Sequence, residues 1–261
     1  MRDLDATVAT EQVAELVWKT WQAEARIAAL PERIRPRTAD EGWAAQQRLG
    51  SLVGPSYGWK IAATSSAGQA HIGVSGPLPG LLFDRFRFEP GAVLPSDGLH
   101  MRVVEAEFAF RMGRDVPAVA SAGELADAVS DLHLAVEVPD SRFERFEAVG
   151  EPSLLADSAC AGYYVLGPAV TGWRDADLAA CRTRVEINGE VAAEGRGEAV
   201  LGSPRLALAW LAAELARLGR GLRAGEIVST GTTTTPPTIG PGDEVRAAFE
   251  GFGEVTLAFA R

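Results

Sequence analysis

A mixed α+β fold, helical at its start and β-rich afterwards, is what this 261-residue sequence predicts. Three observations predict it. The first 50 or so residues carry apolar side chains at helical spacing, with cap and proline signals between two segments. The middle holds short, strongly apolar runs of strand length, two of them containing glutamates. The C-terminal third alternates hairpin and turn signals with a single well-capped helix.

Taken in order, residues 8–30 read as an amphipathic helix, with Val13, Leu16, Val17 and Trp21 on one stripe. Pro31 and Pro36 interrupt it, and Thr38-Ala-Asp-Glu41 opens a second helix through Leu49 as a capping box. This segment, 1–55, carries no evident chemistry and is expected to serve packing and subunit contact. Gly58–Ser66 reads as a strand entering a polar turn, and residues 67–101, rich in Gly and Pro, as irregular loops and short strands. Arg102–Phe110 is a strand. Ser121 caps a helix over ELADAVSDLH, and LAVEV at 134–138 is a second strand ending in the turn Pro139-Asp140-Ser141-Arg142. DSACAGYYVLGP leads into another apolar strand, and Asn188-Gly189 turns a hairpin. Ser203-Pro204 starts the clearest helix, closed by Gly219. The tail is a strand, a threonine-rich turn, a Pro-Gly-Asp turn and two more strands. No repeat or linker splits the chain.

Strand periodicity then isolates the chemistry. Residues i and i+2 share a face, so Glu105 and Glu107 point one way while Val104, Ala106, Phe108 and Phe110 fill the other. A pair of glutamates so spaced is compatible with the wet face of an antiparallel strand or with a site. The flanking Val103 and Ala109 favour a site, because a solvated face carries more polar side chains. Buried carboxylates without partners cost several kcal/mol, roughly, so a positive group is expected among them. Glu137, inside LAVEV, can complete the cluster. Three carboxylates suit a hard divalent cation, Mg²⁺ or Mn²⁺, better than zinc. Lys60, between Trp59 and Ile61, is either a snorkelling edge lysine or a cation held near these acids. Asp140 is either a turn-forming residue or a carboxylate supporting the site, the latter preferred. His71, His100 and His133 are expected to be without a role.

Bulk properties narrow the class. A net charge of −10 argues against nucleic-acid binding, which needs a basic stripe. No run of about 18 apolar residues marks a membrane span, and the polar start MRDLDATVATEQ lacks a signal-peptide core. Cys160 and Cys181 are expected as buried thiols rather than a bridge. A cytoplasmic protein is the resulting expectation.

GWKIAATS, VEAEFAF, EVPDSRF, DSACAGYYVLG, the run from SPRLALAW to EIVSTGT and PGDEVRAAFEGFGEV resemble, in that order, the 2-keto-4-pentenoate hydratase family, which includes 4-oxalocrotonate decarboxylases and belongs to the fumarylacetoacetate hydrolase superfamily. The resemblance covers roughly residues 38–260. It implies a rolled, β-rich mixed sheet with peripheral helices, the catalytic domain occupying 56–261. It implies one divalent metal held by Glu105, Glu107 and Glu137, and catalytic roles for Lys60 and Asp140. Gln69, Ser158 and Thr230-Gly231-Thr232 match positions expected to line the substrate pocket. Two positions depart from the family pattern: Ala62, where Gly is usual, and Ser158, where Asn is usual. The activity implied is addition of water to a 2-hydroxy-2,4-dienoate, giving a 4-hydroxy-2-oxo acid in aromatic-compound breakdown. A 2-oxo acid of this kind chelates a divalent ion, which acts as a Lewis acid towards its 2-oxygen. The alternatives are decarboxylation of 2-oxo-3-hexenedioate, with Arg85, Arg87 or Arg142 holding the distal carboxylate; acylpyruvate-type C–C hydrolysis; and a non-catalytic subunit. The resemblance also implies a homo-oligomer, and association with a pathway enzyme is compatible with it.

Overall fold

A computed structural model describes residues 2–118 and 121–261. Two helices come first: α1 (Arg2–Gln22) and α2 (Ala39–Val53), the latter entered through the Thr38–Glu41 capping box. Then follow β1 (Ser56–Ala62), α3 (Ser66–Ile72), β2 (Leu78–Phe83), β3 (Arg87–Phe88), β4 (Val93–Leu94) and β5 (Glu105–Met112). The chain continues through α4 (Ala122–Ala128), β6 (Val129–Val138), α5 (Glu151–Ala156), β7 (Tyr163–Val170), β8 (Arg182–Ile187) and β9 (Glu190–Arg196). It closes with α6 (Pro204–Arg217), β10 (Ile227–Thr232), β11 (Glu244–Phe249) and β12 (Gly253–Phe259).

The strands form two sheets. A seven-stranded curled sheet runs β2-β1-β10-β5-β6-β7-β3, and a five-stranded sheet runs β4-β12-β11-β8-β9. The larger sheet is mixed: β1 lies parallel to β10 and β3 to β7, and its other pairs are antiparallel. The core lies between the sheets and under the helices. Phe108 of β5 meets Phe249 of β11 edge-on, ring centroids 5.0 Å apart. Ala106, Phe108 and Phe110 join this main core, and so do Val13 and Val17 of α1 and Leu49 of α2. Ala109, on the other face of β5, packs instead with Ala135, Tyr164 and Ile227. The period-2 reading of β5 therefore holds.

Two element lengths differ from expectation. The first helix stops at Gln22 rather than near residue 30. Glu24 turns left-handed, with φ 50°, and Ile27 then trades backbone hydrogen bonds with Arg142 and Glu144 at 3.0 Å each. A long-range backbone pairing thus claims residues whose local pattern is helical. Similarly, the helix capped by Ser121 ends at Ala128, and Val129–His133 becomes strand because Leu132 and His133 pair with Phe110 and Ala109 of β5. The stretch Gly197–Arg217 has the length and apolarity of a membrane span. It is not one continuous α-helix, because a 3-10 turn over Gly197–Ala199 precedes Ser203-capped α6. Ala207, Leu208, Leu211 and Leu215 of α6 are buried, and the helix packs on β10 and α4.

Candidate metal centre and cavity

Register across β5 and β6 builds the acidic cluster. Glu105 pairs directly with Glu137, and Glu107 with Ala135, so the three glutamates emerge on one face of adjacent central strands. One carboxylate oxygen from each lies within 4.8 Å of the others. Glu107 and Glu137 are fully buried and Glu105 is partly so. Lys60 of β1 enters from the side, its Nζ 3.0 Å from Glu137 Oε1 and 3.0 Å from the carbonyl of Ala159, to which it donates. The Glu137 contact is a charge pairing rather than a well-aligned hydrogen bond. Lys60 is 2 % exposed, so the snorkelling reading fails and the held cation stands.

The oxygens that remain are informative. Glu107 Oε2 accepts from the Ser229 hydroxyl and from the Gly231 amide at 3.2 Å, whereas Glu107 Oε1 and Glu137 Oε2 have no hydrogen-bond donor. Glu105 approaches Glu107 within hydrogen-bonding reach, yet two carboxylates are both acceptors and need a proton or a cation between them. Burial pushes all three carboxyls up; Lys60 pulls against this, and the cluster's own charges reinforce it at Glu107 and Glu137. Glu137 is pushed up to about 7. For Lys60, burial acts downward but is outweighed by Glu137, Glu105 and the other anions nearby, leaving it above its ordinary value. Three carboxylates and one ammonium leave two negative charges, which a divalent cation neutralises. The donor set, all oxygen, and the unfilled buried oxygens fit a hard cation.

Local backbone makes this geometry. β10 bulges between Ser229 and Thr232 where it pairs with β5, and Gly231 sits at φ 99° inside the bulge. A Cβ there would come 2.4 Å from Thr64 Oγ1, so glycine is needed both for the φ and for the space. On the other side, Ser158, Ala159 and Cys160 form a left-handed turn with φ 50°, 50° and 61°. That turn aims the Ala159 carbonyl at Lys60. It also passes so close to Gly80 that a Cβ there would meet the Ser158 carbonyl at 2.3 Å. Asn tolerates a left-handed backbone better than most residues, which gives a physical reason for the Asn expected where this chain has Ser158.

A cavity of about 1090 Å³ opens over the cluster. Its wall includes Lys60, Glu105, Ala62, Thr64, His71 and Thr232, with Arg182 and Arg196 from the β8–β9 hairpin. The structure therefore brings together Lys60, Glu105, Glu107, Glu137 and Thr232. It does not bring the other candidates to the cavity with free polar groups. Asp140 accepts from the His100 and Met101 amides at 2.8 and 3.0 Å and pairs with Arg26, tying loop 97–101 to the β6 turn. The Ser158 hydroxyl accepts from the Leu81 amide and donates to its carbonyl, so it serves β2. Gln69 donates its side-chain amide to the Ala63 carbonyl, and Thr230 donates its hydroxyl to the Phe108 carbonyl. Gly231 contributes through its amide to Glu107 instead of through the pocket wall.

The distal cations are also different from those expected. Arg142 is buried against Asp157, Arg85 lies over Trp18 and Arg87 over Tyr57. None of the three lines the cavity; Arg182 and Arg196 do. His71, expected to have no role, lies on the cavity wall beside Phe146. His133 is buried and bonded to the Gly167 carbonyl. Sequence reasoning passed over Ser229 and Tyr164. Ser229 was within reach, since it directly precedes the Thr230-Gly231-Thr232 turn, but Tyr164 needed the strand order.

Comparison with known proteins agrees with this geometry. The fumarylacetoacetate (FAA) hydrolase C-terminal family model matches residues 88–259. A 2-keto-4-pentenoate hydratase from Paraburkholderia xenovorans is 33% identical over 254 residues, covering 95% of this chain and 94% of that protein. A 4-oxalocrotonate decarboxylase from Pseudomonas putida is 33% identical over 220 residues, covering 84% of this chain and 83% of that one. Among solved structures, the 4-oxalocrotonate decarboxylase from Pseudomonas putida G7 complexed with magnesium and adipate superposes with TM-score 0.86. It is 29% identical and covers 95% of this chain and 97% of that chain. The same enzyme is also known complexed with calcium and acetate, at TM-score 0.85. Sheet order, acidic cluster and sequence agree: this chain belongs to the fumarylacetoacetate hydrolase family.

Proposed function

We propose that the protein is a metal-dependent hydratase that adds water to a 2-hydroxy-2,4-dienoate, forming a 4-hydroxy-2-oxo acid. The observation that carries the reading is the trio Glu105, Glu107 and Glu137, with two buried oxygens lacking donors and Lys60 beside them in a closed corner of the cavity. Hydratases by name are 33% identical to it over nearly the whole chain. The three glutamates would hold Mg²⁺ or Mn²⁺, which when bound supplies Lewis acidity and orients a 2-oxo acid. Lys60, kept cationic by its acidic neighbours, binds the substrate carboxylate and balances the charge of the ligands. Its donation to the Ala159 carbonyl fixes where the ammonium stands. The reaction needs a proton delivered to the far end of the dienol, then water at C4 and a proton at C3. His71 on the cavity wall is placed to move a proton. Cys160, also on the wall, is not, because burial pushes its thiol up to about 12. Self-association and a cytoplasmic setting belong to the same reading.

A second reading, decarboxylation of 2-oxo-3-hexenedioate, is favoured by one feature: Arg182 and Arg196 on the cavity wall offer cations for a distal carboxylate. Glu194 and Glu198 line the same wall and weaken that attraction. Ultraviolet-monitored turnover of 2-hydroxypenta-2,4-dienoate beside 2-oxohex-3-enedioate, with and without Mg²⁺, tests the pair. Mg²⁺-dependent loss of the first supports the hydratase. Consumption of the second alone, with CO₂ release, overturns it.

A further inference from the structure

Behind the acidic cluster runs a buried chain of hydroxyls that the reaction itself does not use. Tyr164 of β7 donates to Ser229 of β10, and Ser229 donates to Glu107 Oε2. All three residues are buried, at 1%, 0% and 0% exposure. The direction of donation is set at both ends. Glu107 as a carboxylate only accepts, and the Ser229 oxygen receives the phenol hydrogen while giving its own away. The Gly231 amide adds a second donor to the same Oε2 at 3.2 Å. Two donors occupy the lone pairs of Oε2, while Oε1 has none. Glu137 differs: neither of its oxygens takes a hydrogen bond, though Lys60 stands 3.0 Å from one.

We propose that Ser229, oriented by Tyr164, is a positioning residue that restricts Glu107 to one-oxygen ligation and so biases the site towards a small octahedral cation over Ca²⁺. The proposal rests on the metal reading of the three glutamates. Mg²⁺ takes six ligands in a tight octahedron, and a one-oxygen carboxylate suits it. Ca²⁺ takes six to eight oxygens and gains from carboxylates that bind through both. With Oε2 already saturated, Glu107 cannot supply a second oxygen without breaking two hydrogen bonds. Removing the serine hydroxyl leaves Oε2 with the Gly231 amide alone and frees a lone pair for a larger ion.

Calorimetric titration of the metal-stripped full chain with MgCl₂ and with CaCl₂ tests this, because the readout is the ratio of two affinities and needs no turnover. Ser229→Ala is expected to shift the Mg²⁺/Ca²⁺ affinity ratio towards Ca²⁺ by about tenfold, the scale on which partners of metal ligands act. Tyr164→Phe is expected to shift it the same way but less, and Ser229→Thr, which keeps the hydroxyl, to retain the original ratio. A merely structural weakening would lower both affinities together; an unchanged ratio in both Ser229→Ala and Tyr164→Phe overturns the proposal. Glu107→Gln separates the two levels. If it abolishes binding of both ions while the ratio in Ser229→Ala is unmoved, the positioning role alone falls. If Glu107→Gln binds both ions as the unaltered protein does, the metal reading falls with it.

Discussion

Two buried charge clusters lie at opposite ends of the same turn, and they are finished differently. Asp157 and Arg142 form a closed pair. Asp157 accepts from the Ser141 hydroxyl and from the Arg142 amide and guanidinium. Arg142 also donates to the carbonyls of Ala161 and Asp157 and lies 3.9 Å over the Trp21 ring. A few residues earlier, Glu137 and its neighbours are just as buried, yet two of their oxygens go without a donor. Burial raises the carboxyl pKa in both places, and nearby cations pull against it in both. The first cluster satisfies its polar atoms internally and holds loop to strand. The second leaves capacity for something from outside, which is what separates a site from a strut.

The comparison can be broken or sharpened by experiment. The largest effect is expected from Glu107→Gln. Loss of the bound cation removes several kcal/mol of transition-state stabilisation, roughly a 10³-fold fall in kcat/KM on the dienoate. The Tm gain on adding Mg²⁺ should vanish, while the metal-free Tm stays level or rises because one buried charge is gone. An Mg²⁺-dependent Tm gain that survived would break the contrast. Next, Arg142→Met strands Asp157 in the interior and should cost about 3–5 kcal/mol in urea unfolding. Metal affinity of the folded fraction should be unchanged; a selective loss of metal binding would show that the strut also serves the site.

A smaller effect concerns pH. The carboxyl of Glu137 sits at about 7 in the folded protein, above the ordinary carboxylate range, because of burial and the charge of Glu105, with Lys60 opposing. The folded state therefore binds its proton more tightly than the unfolded state does. That contribution is full below the ordinary carboxyl pKa and is lost as pH rises towards 7. Metal-stripped protein should lose Tm between pH 5 and pH 8, and Mg²⁺ should restore more at pH 8 than at pH 5. An equal Mg²⁺ effect at both would count against these groups as ligands. The smallest effect is Trp21→Leu, which removes the ring over Arg142 and should cost about 2 kcal/mol in the same unfolding assay, without moving the Mg²⁺ affinity.

Much of this site was legible in the chain. The alternation at 104–110 separates core from site because a strand's side chains alternate by geometry alone, and the E-x-E pair follows from it. Lys60 between Trp59 and Ile61 was out of place for a solvated lysine, and it is buried. What was not legible depended on pairing between distant strands. Glu105 facing Glu137 is a matter of β5–β6 register, and Tyr164 reaches Ser229 only across the order of the curled sheet. The distal arginines were sought near the cluster in sequence, at 85, 87 and 142, but the cavity draws its cations from the β8–β9 hairpin. Asp140 and Ser158 look chemical in sequence and prove to hold loops and strands, because their polar atoms meet backbone partners first.

Local rules determined the elements. The caps at Thr38, Ser121 and Ser203 and the Asn188-Gly189 turn act over a few residues, so one chain suffices to place them. Tertiary structure decided where helices yield to strands, as at Gln22 and Ala128, and which oxygens of the glutamates remain open. The reason is that a hydrogen bond or charge contact between residues a hundred positions apart is set by sheet order and register. Those are properties of the assembled fold that no short window of sequence contains.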